Sequence, residues 1–90
     1  MKRYHIIVSG RVQGVGFRYF CVMNAQKFNL TGSVRNMSNG NVEIFVQGDP
    51  NNIDYFINII EKGNMFIHVE EYQIKAMPVI LDEKEFSYIY

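Results

Sequence analysis

Residues 10–18 read Gly-Arg-Val-Gln-Gly-Val-Gly-Phe-Arg, and they hold the residue types most able to do chemistry in this chain. Gly14 and Gly16 lie between a strand-like run, Ile6-Ile7-Val8, and a helix-like run from Tyr19 to Phe28. Glycine lets a backbone turn tightly and approach a ligand closely. A helix N-terminus offers unpaired N–H groups and partial positive charge. Arg18, at the same junction, adds a planar fork that matches phosphate or carboxylate oxygens. The combination describes a cradle for an anion of phosphate size. A tight turn with an exposed arginine would use the same residues, because glycine pairs are common in turns. It is neither a dinucleotide fingerprint, since Tyr19 stands where a third glycine is needed, nor a nucleotide phosphate loop, since no Gly-Lys-Ser/Thr follows.

Asn36 is the second chemical candidate. It shares parity with Val34, so it falls on the side of its strand that faces the core or the end of the sheet. An amide there needs partners. It either bonds locally at the mouth of a hairpin or holds a water or a ligand oxygen.

The remaining candidates carry less. His5 and His68 lie on separate strand-like segments with no third ligand at suitable spacing, so no metal site is expected. Cys21 sits at core spacing and reads as a buried thiol rather than a nucleophile. Phe45, Phe66, Tyr72, Phe86 and Tyr88 could form a stacking platform for RNA on a sheet, but no Lys/Arg-Gly-Phe signature accompanies them.

Elements that could position these residues are legible along the chain. Tyr4 to Val12 reads as a strand. Phe17, Cys21, Ala25 and Phe28 then recur at helical spacing, and Asn29 can close that helix in a left-handed conformation. Thr31–Met37 and Asn41–Gln47 flank Asn39-Gly40, a strong hairpin signal. Asp49 suits an N-cap and Pro50 a first helical position. Ile53, Phe56, Ile57 and Ile60 mark the buried stripe of a second helix that Gly63 ends. Phe66 to Ala76 reads as a strand, Pro78 interrupts, and Phe86 to Tyr90 reads as a short last strand. The order is that of an α+β split βαβ (βαββαβ) arrangement: an antiparallel sheet with two helices on one face and water on the other.

Composition sets the frame. Ninety residues with 48% apolar content form one domain, 1–90, with a modest core. Net charge is zero, which argues against nucleic acid and anionic membranes as partners. A single cysteine fits a reducing compartment, and no apolar run reaches the length of a signal core or membrane span. A cytoplasmic protein is expected.

Two segments together resemble a known family. Gly10–Arg18 and Thr31-Gly32-Ser33-Val34-Arg35-Asn36, followed by Asn39-Gly40-Asn41-Val42-Glu43, are similar to the paired signatures of the acylphosphatases. The resemblance covers nearly the whole chain. It implies a ferredoxin-like fold and hydrolysis of a small-molecule acyl phosphate to a carboxylate and inorganic phosphate, with no metal or organic cofactor. It implies that Arg18 binds phosphate, that the backbone of Gln13, Gly14, Val15, Gly16, Phe17 and Arg18 forms the cradle, and that Asn36 holds the attacking water. A monomer is the simplest expectation. Two positions depart from the pattern: Ser33 stands where tryptophan is usual, and Asn29 where glycine is usual.

Overall fold

Alternation of apolar residues builds the middle of a five-stranded sheet. The computed structural model describes all 90 residues. Its elements are β1 (Lys2–Arg11), α1 (Phe17–Lys27), β2 (Thr31–Asn36), β3 (Val42–Gly48), α2 (Pro50–Lys62), β4 (His68–Met77) and β5 (Phe86–Ile89). The strands lie in the order β4-β1-β3-β2-β5. Ile6 and Val8 of β1, Val34 of β2, and Val42, Ile44 and Val46 of β3 are all buried on one sheet face. Phe17, Cys21 and Ala25 of α1 and Ile53, Phe56 and Ile60 of α2 close over them.

The helix ends follow local chemistry. Asp49 Oδ1 accepts the Asn51 amide at 2.8 Å, and Pro50 opens α2. Asn29, just past α1, is the single non-glycine residue with positive φ, at 56°, which accounts for glycine as the usual occupant there.

Three expectations need correction. The sheet is mixed rather than antiparallel: β5 pairs with β2 in parallel, with Gly32 opposite Phe86. The reason is the crossover from β4. It leaves β4 at the end of the sheet where β2 begins, and there Gly32 N donates to Glu85 O at 3.0 Å and Thr31 Oγ1 to Glu83 Oε1 at 2.7 Å. The chain therefore enters β5 beside the start of β2 and runs the same way. Second, β4 starts at His68, not Phe66. Asn64 Oδ1 accepts the amides of Phe66 and Ile67, which bends the chain into a turn and leaves Phe66 exposed. Third, the face away from the helices is not wholly open. The crossover covers its near end and buries Arg3 and Gln47. Arg3 Nη1 donates to Glu83 at 2.8 Å and to Gln47 at 3.3 Å, while Gln47 exchanges two bonds of 2.8 Å with the backbone of Ile80.

Farther along that face, Glu43 accepts Arg35 Nε at 2.6 Å and lies 2.9 Å from His5 Nε2. Burial alone would raise its carboxyl, but the hydrogen bonds and charges of His5 and Arg35 outweigh burial and hold it below the ordinary 4.5. A depressed carboxylate stabilises the fold fully above its unfolded value and ceases to do so as pH falls through the folded one. We expect Glu43→Gln to cost about 1 kcal/mol near neutrality. Urea titrations over a series of pH values should show that difference shrinking as pH drops below about 4.5. A difference independent of pH would refute the ionic contribution.

Candidate active site

The glycine loop joins β1 to α1 at one end of the sheet. Gly14 and Gly16 are both left-handed, with φ of 72° and 80°, while Val15 between them is not. Nothing lies within 4 Å of where a Cβ would stand on either, so glycine is there for its conformation and not for space. Alternation of this kind turns successive N–H groups into a concave, anion-attracting nest. The amides of Gln13, Gly14, Val15 and Gly16 donate to no backbone carbonyl. Gly16 also caps α1 without a side chain, and no acidic residue sits in the first turn. Helix geometry leaves the first amides of α1 without partners as well. Buried Val12 and Phe17 fasten the loop at each side.

Gln13 contributes more than backbone. Its Nε2 donates to Met37 O at 2.8 Å and to Asn41 O at 2.7 Å, across the mouth of the β2–β3 hairpin. Asn36 is the residue before Met37. It pairs with Val42, which pairs in turn with Val8 of β1, so Asn36 ends a row running across the sheet beneath the loop. Its Oδ1 is buried and has no hydrogen-bond partner. Local satisfaction within the hairpin, one of the two readings open from sequence, is therefore not what this oxygen does.

Arg18 lies in the first turn of α1 and is seated on β5. Its Nη1 donates to Ile89 O at 2.9 Å, and its guanidinium carbon lies 4.4 Å from the centre of the Tyr88 ring. A guanidinium has five N–H donors, so four remain for an oxyanion. The arrangement thus offers concentrated donors and one cation on the loop side, and one buried acceptor on the hairpin side.

Other sequence candidates fall elsewhere. Cys21 is fully buried in the core, where burial pushes its thiol well above the ordinary range. The five aromatic residues form no platform: Phe86 is buried, Phe66 is in a turn, and Phe45 stacks on His5 on the opposite sheet face. No helix is long and apolar enough to cross a membrane. The Tyr88–Ile89 seat and the Gln13 side-chain bridge were not read from sequence. Arg18 and Ile89 are 71 positions apart, and no local pattern joins them.

Comparison with known proteins identifies the family. The acylphosphatase family profile matches residues 4–88. The chain is 52% identical over 90 residues to an acylphosphatase of Clostridium beijerinckii, covering 100% of both chains. It is 49% identical to one of Geobacillus kaustophilus, covering 100% of this chain and 96% of the other. The crystal structure of acylphosphatase from Bacillus subtilis superposes with a TM-score of 0.94 at 40% identity, over the full length of both chains. With fold, length and paired signatures all in agreement, this chain belongs to the acylphosphatase family and is an enzyme of acyl phosphate hydrolysis.

Proposed function

We propose that the glycine loop and Arg18 bind the phosphoryl group of an acyl phosphate while Asn36 places the attacking water. The observation that carries this reading is the buried, unpartnered Asn36 Oδ1 held beside the loop by Gln13. Such an oxygen is an acceptor waiting for a donor, and water is the donor that hydrolysis requires.

In this reading the phosphoryl oxygens lie among the amides of Gln13 to Arg18 and the free edge of the guanidinium. As the bond from phosphorus to the carboxyl oxygen lengthens, charge builds on the equatorial and leaving oxygens, and these donors bind it more strongly than they bind the ground state. The carboxylate is a good leaving group and needs little proton assistance. The Asn36 carbonyl accepts one water hydrogen and orients the water oxygen toward phosphorus. An amide is too weak a base to deprotonate water, so the second proton passes to a phosphoryl oxygen. The products are a carboxylate and inorganic phosphate. Charge is met by arginine and amides, so the scheme needs no metal, and hydrolysis of benzoyl phosphate should persist in the presence of a chelator.

Arg18→Ala should lower kcat/KM by about a hundred- to a thousandfold, the usual effect of about 3–4 kcal/mol for a lost charge-stabilising donor. Arg18→Lys should recover little, because a point charge cannot replace the fork. A lysine variant with wild-type kinetics would overturn the bidentate role.

Asn36→Ala should lose turnover by a similar factor of about a hundred or more, while inorganic phosphate still inhibits at its wild-type concentration. Wild-type turnover in this variant would overturn the water-placing role.

Gln13→Ala and Gln13→Glu both remove the donor that spans Met37 and Asn41. Each should lower kcat roughly ten- to a hundredfold through misplacement, with a smaller change in KM. Equal changes in kcat and thermal stability across both variants and an unrelated core variant would reduce Gln13 to a purely structural residue.

A further inference from the structure

β4 lies at one edge of the sheet, with β1 on its inner side and no strand beyond it. It runs for ten residues, and all of them but Val69 and Met77 are exposed. A bare edge of this length presents a row of N–H and C=O groups able to pair with another strand. β5, at the other edge, is four residues long and offers far less. We propose that β4 pairs with β4 of a second copy of this chain, antiparallel, about a twofold axis at Gln73.

Side-chain parity selects that register. Residues directly opposite each other in an antiparallel pair point to the same sheet face. Tyr72 and Ile74 stand opposite Val8 and Ile6 of β1, whose side chains are buried under the helices. Glu71, Gln73 and Lys75 therefore point to the other face. A twofold pairing that continues both faces must match odd positions with odd and even with even. Setting Gln73 against its own copy places Tyr72 against Ile74 and Glu71 against Lys75 of the second copy, each twice by symmetry. Opposite charges and an aromatic–β-branched pair then meet where cross-strand pairs stabilise a sheet. Sliding one step either way loses both matches. One slide sets Tyr72 on itself and Glu71 on Gln73; the other sets Ile74 on itself and Glu71 on Met77.

Exposure on the helix side supports the same pairing. Tyr72 is 38% and Ile74 45% exposed, although Val8 and Ile6 in the same rows are each 1% exposed. A further strand would cover them. The bulge at the start of β4 limits the contact: Ser9 pairs with Glu71 and Gly10 with Val69, so Glu70 is the extra residue. The regular stretch thus begins at Glu71, and the twofold axis at Gln73 ends it at Lys75. An interface this small makes a weak dimer, and the monomer expected from sequence is its dilute form. Asn36 on β2 and the Arg18 seat on β5 lie beyond β1 and β3 from this edge, so pairing leaves them open.

Sedimentation of the wild type from about 10 μM to about 1 mM, a range suited to weak association, should show a mass rising from 10.5 kDa toward twice that value. Lys75→Glu alone and Glu71→Lys alone each bring like charges together twice, and each should weaken association about tenfold. Both positions are exposed, so neither change threatens the fold. An equimolar mixture of the two variants should regain wild-type association, because every glutamate then meets a lysine. Gln73→Cys should oxidise to a covalent dimer, since Cα atoms directly opposite lie about 4.5–5.5 Å apart, within disulfide reach. Glu71→Cys should not, because its two copies lie four positions apart along the strands, about 14 Å. Cys21 is buried and does not compete. A wild type that stays monomeric throughout overturns the proposal, as does a dimer that neither charge variant weakens. A mixture no stronger than its components overturns the register at Gln73.

Discussion

A single carboxamide nitrogen joins the two halves of the site. The amides of Gln13 to Gly16 donate to no backbone carbonyl, and two of these residues are in conformations that only glycine adopts freely. Left to itself, such a segment would sample many shapes. The buried side chains of Val12 and Phe17 hold its ends, and Gln13 Nε2 ties its first residue to the hairpin by using both hydrogens on the carbonyls of Met37 and Asn41. Because Asn36 precedes Met37, the same two bonds that shape the loop set its distance from the hairpin oxygen. One rotamer, fixed at an entropic cost of about 1–2 kcal/mol, registers donors on one element against an acceptor on another.

Arg18 depends on a longer chain of constraints. It leans on Tyr88 and Ile89, so it is only as well placed as β5. That strand is four residues long and lies at the edge of the sheet, where strand pairing alone would hold it weakly. Its entry is fastened by Glu83, which joins Arg3 to Thr31, and by Gln47, which grips Ile80 from the opposite sheet face. Arg3 is 8% exposed, so its charge needs this carboxylate. An ion pair at the far end of the sheet thus helps position the guanidinium, and the cation–π contact at Tyr88 passes that order to the site.

What could be read in advance was local. Gly14 and Gly16, Asn39-Gly40, and Asp49-Pro50 punctuate the chain for reasons contained within a few residues, and all mark real junctions. The stripe on α2 was legible because Ile53, Phe56 and Ile60 face one core. α1 was harder, since Tyr19, Phe20, Val22 and Met23 scatter apolar residues around it, and two of them, Tyr19 and Met23, stay exposed. The parallel pairing of β5 was not legible, because a strand pattern says nothing of direction and the ties that set it come from Thr31 and Gly32. The Arg18 seat and the double bond pattern of Gln13 were hidden for the same reason: both link residues brought together only by the completed sheet.

The two halves of the site also differ in how water treats them. Gly14 and Gly16 are exposed, and the amides of Gln13 to Gly16 have no backbone acceptor, so an anion there competes with water. Asn36 Oδ1 is buried, away from that competition. An unmet buried acceptor costs about 1–3 kcal/mol, so a water reaching it gains nearly the full bond and loses at most about 2 kcal/mol to ordering. If that water is the nucleophile, as proposed, phosphate binding need not supply the energy to order it. In the proposed scheme the phosphate's interactions with the loop and Arg18 then remain available for the charge that develops as the acyl–phosphate bond breaks, which is where donors raise the rate and not only the affinity.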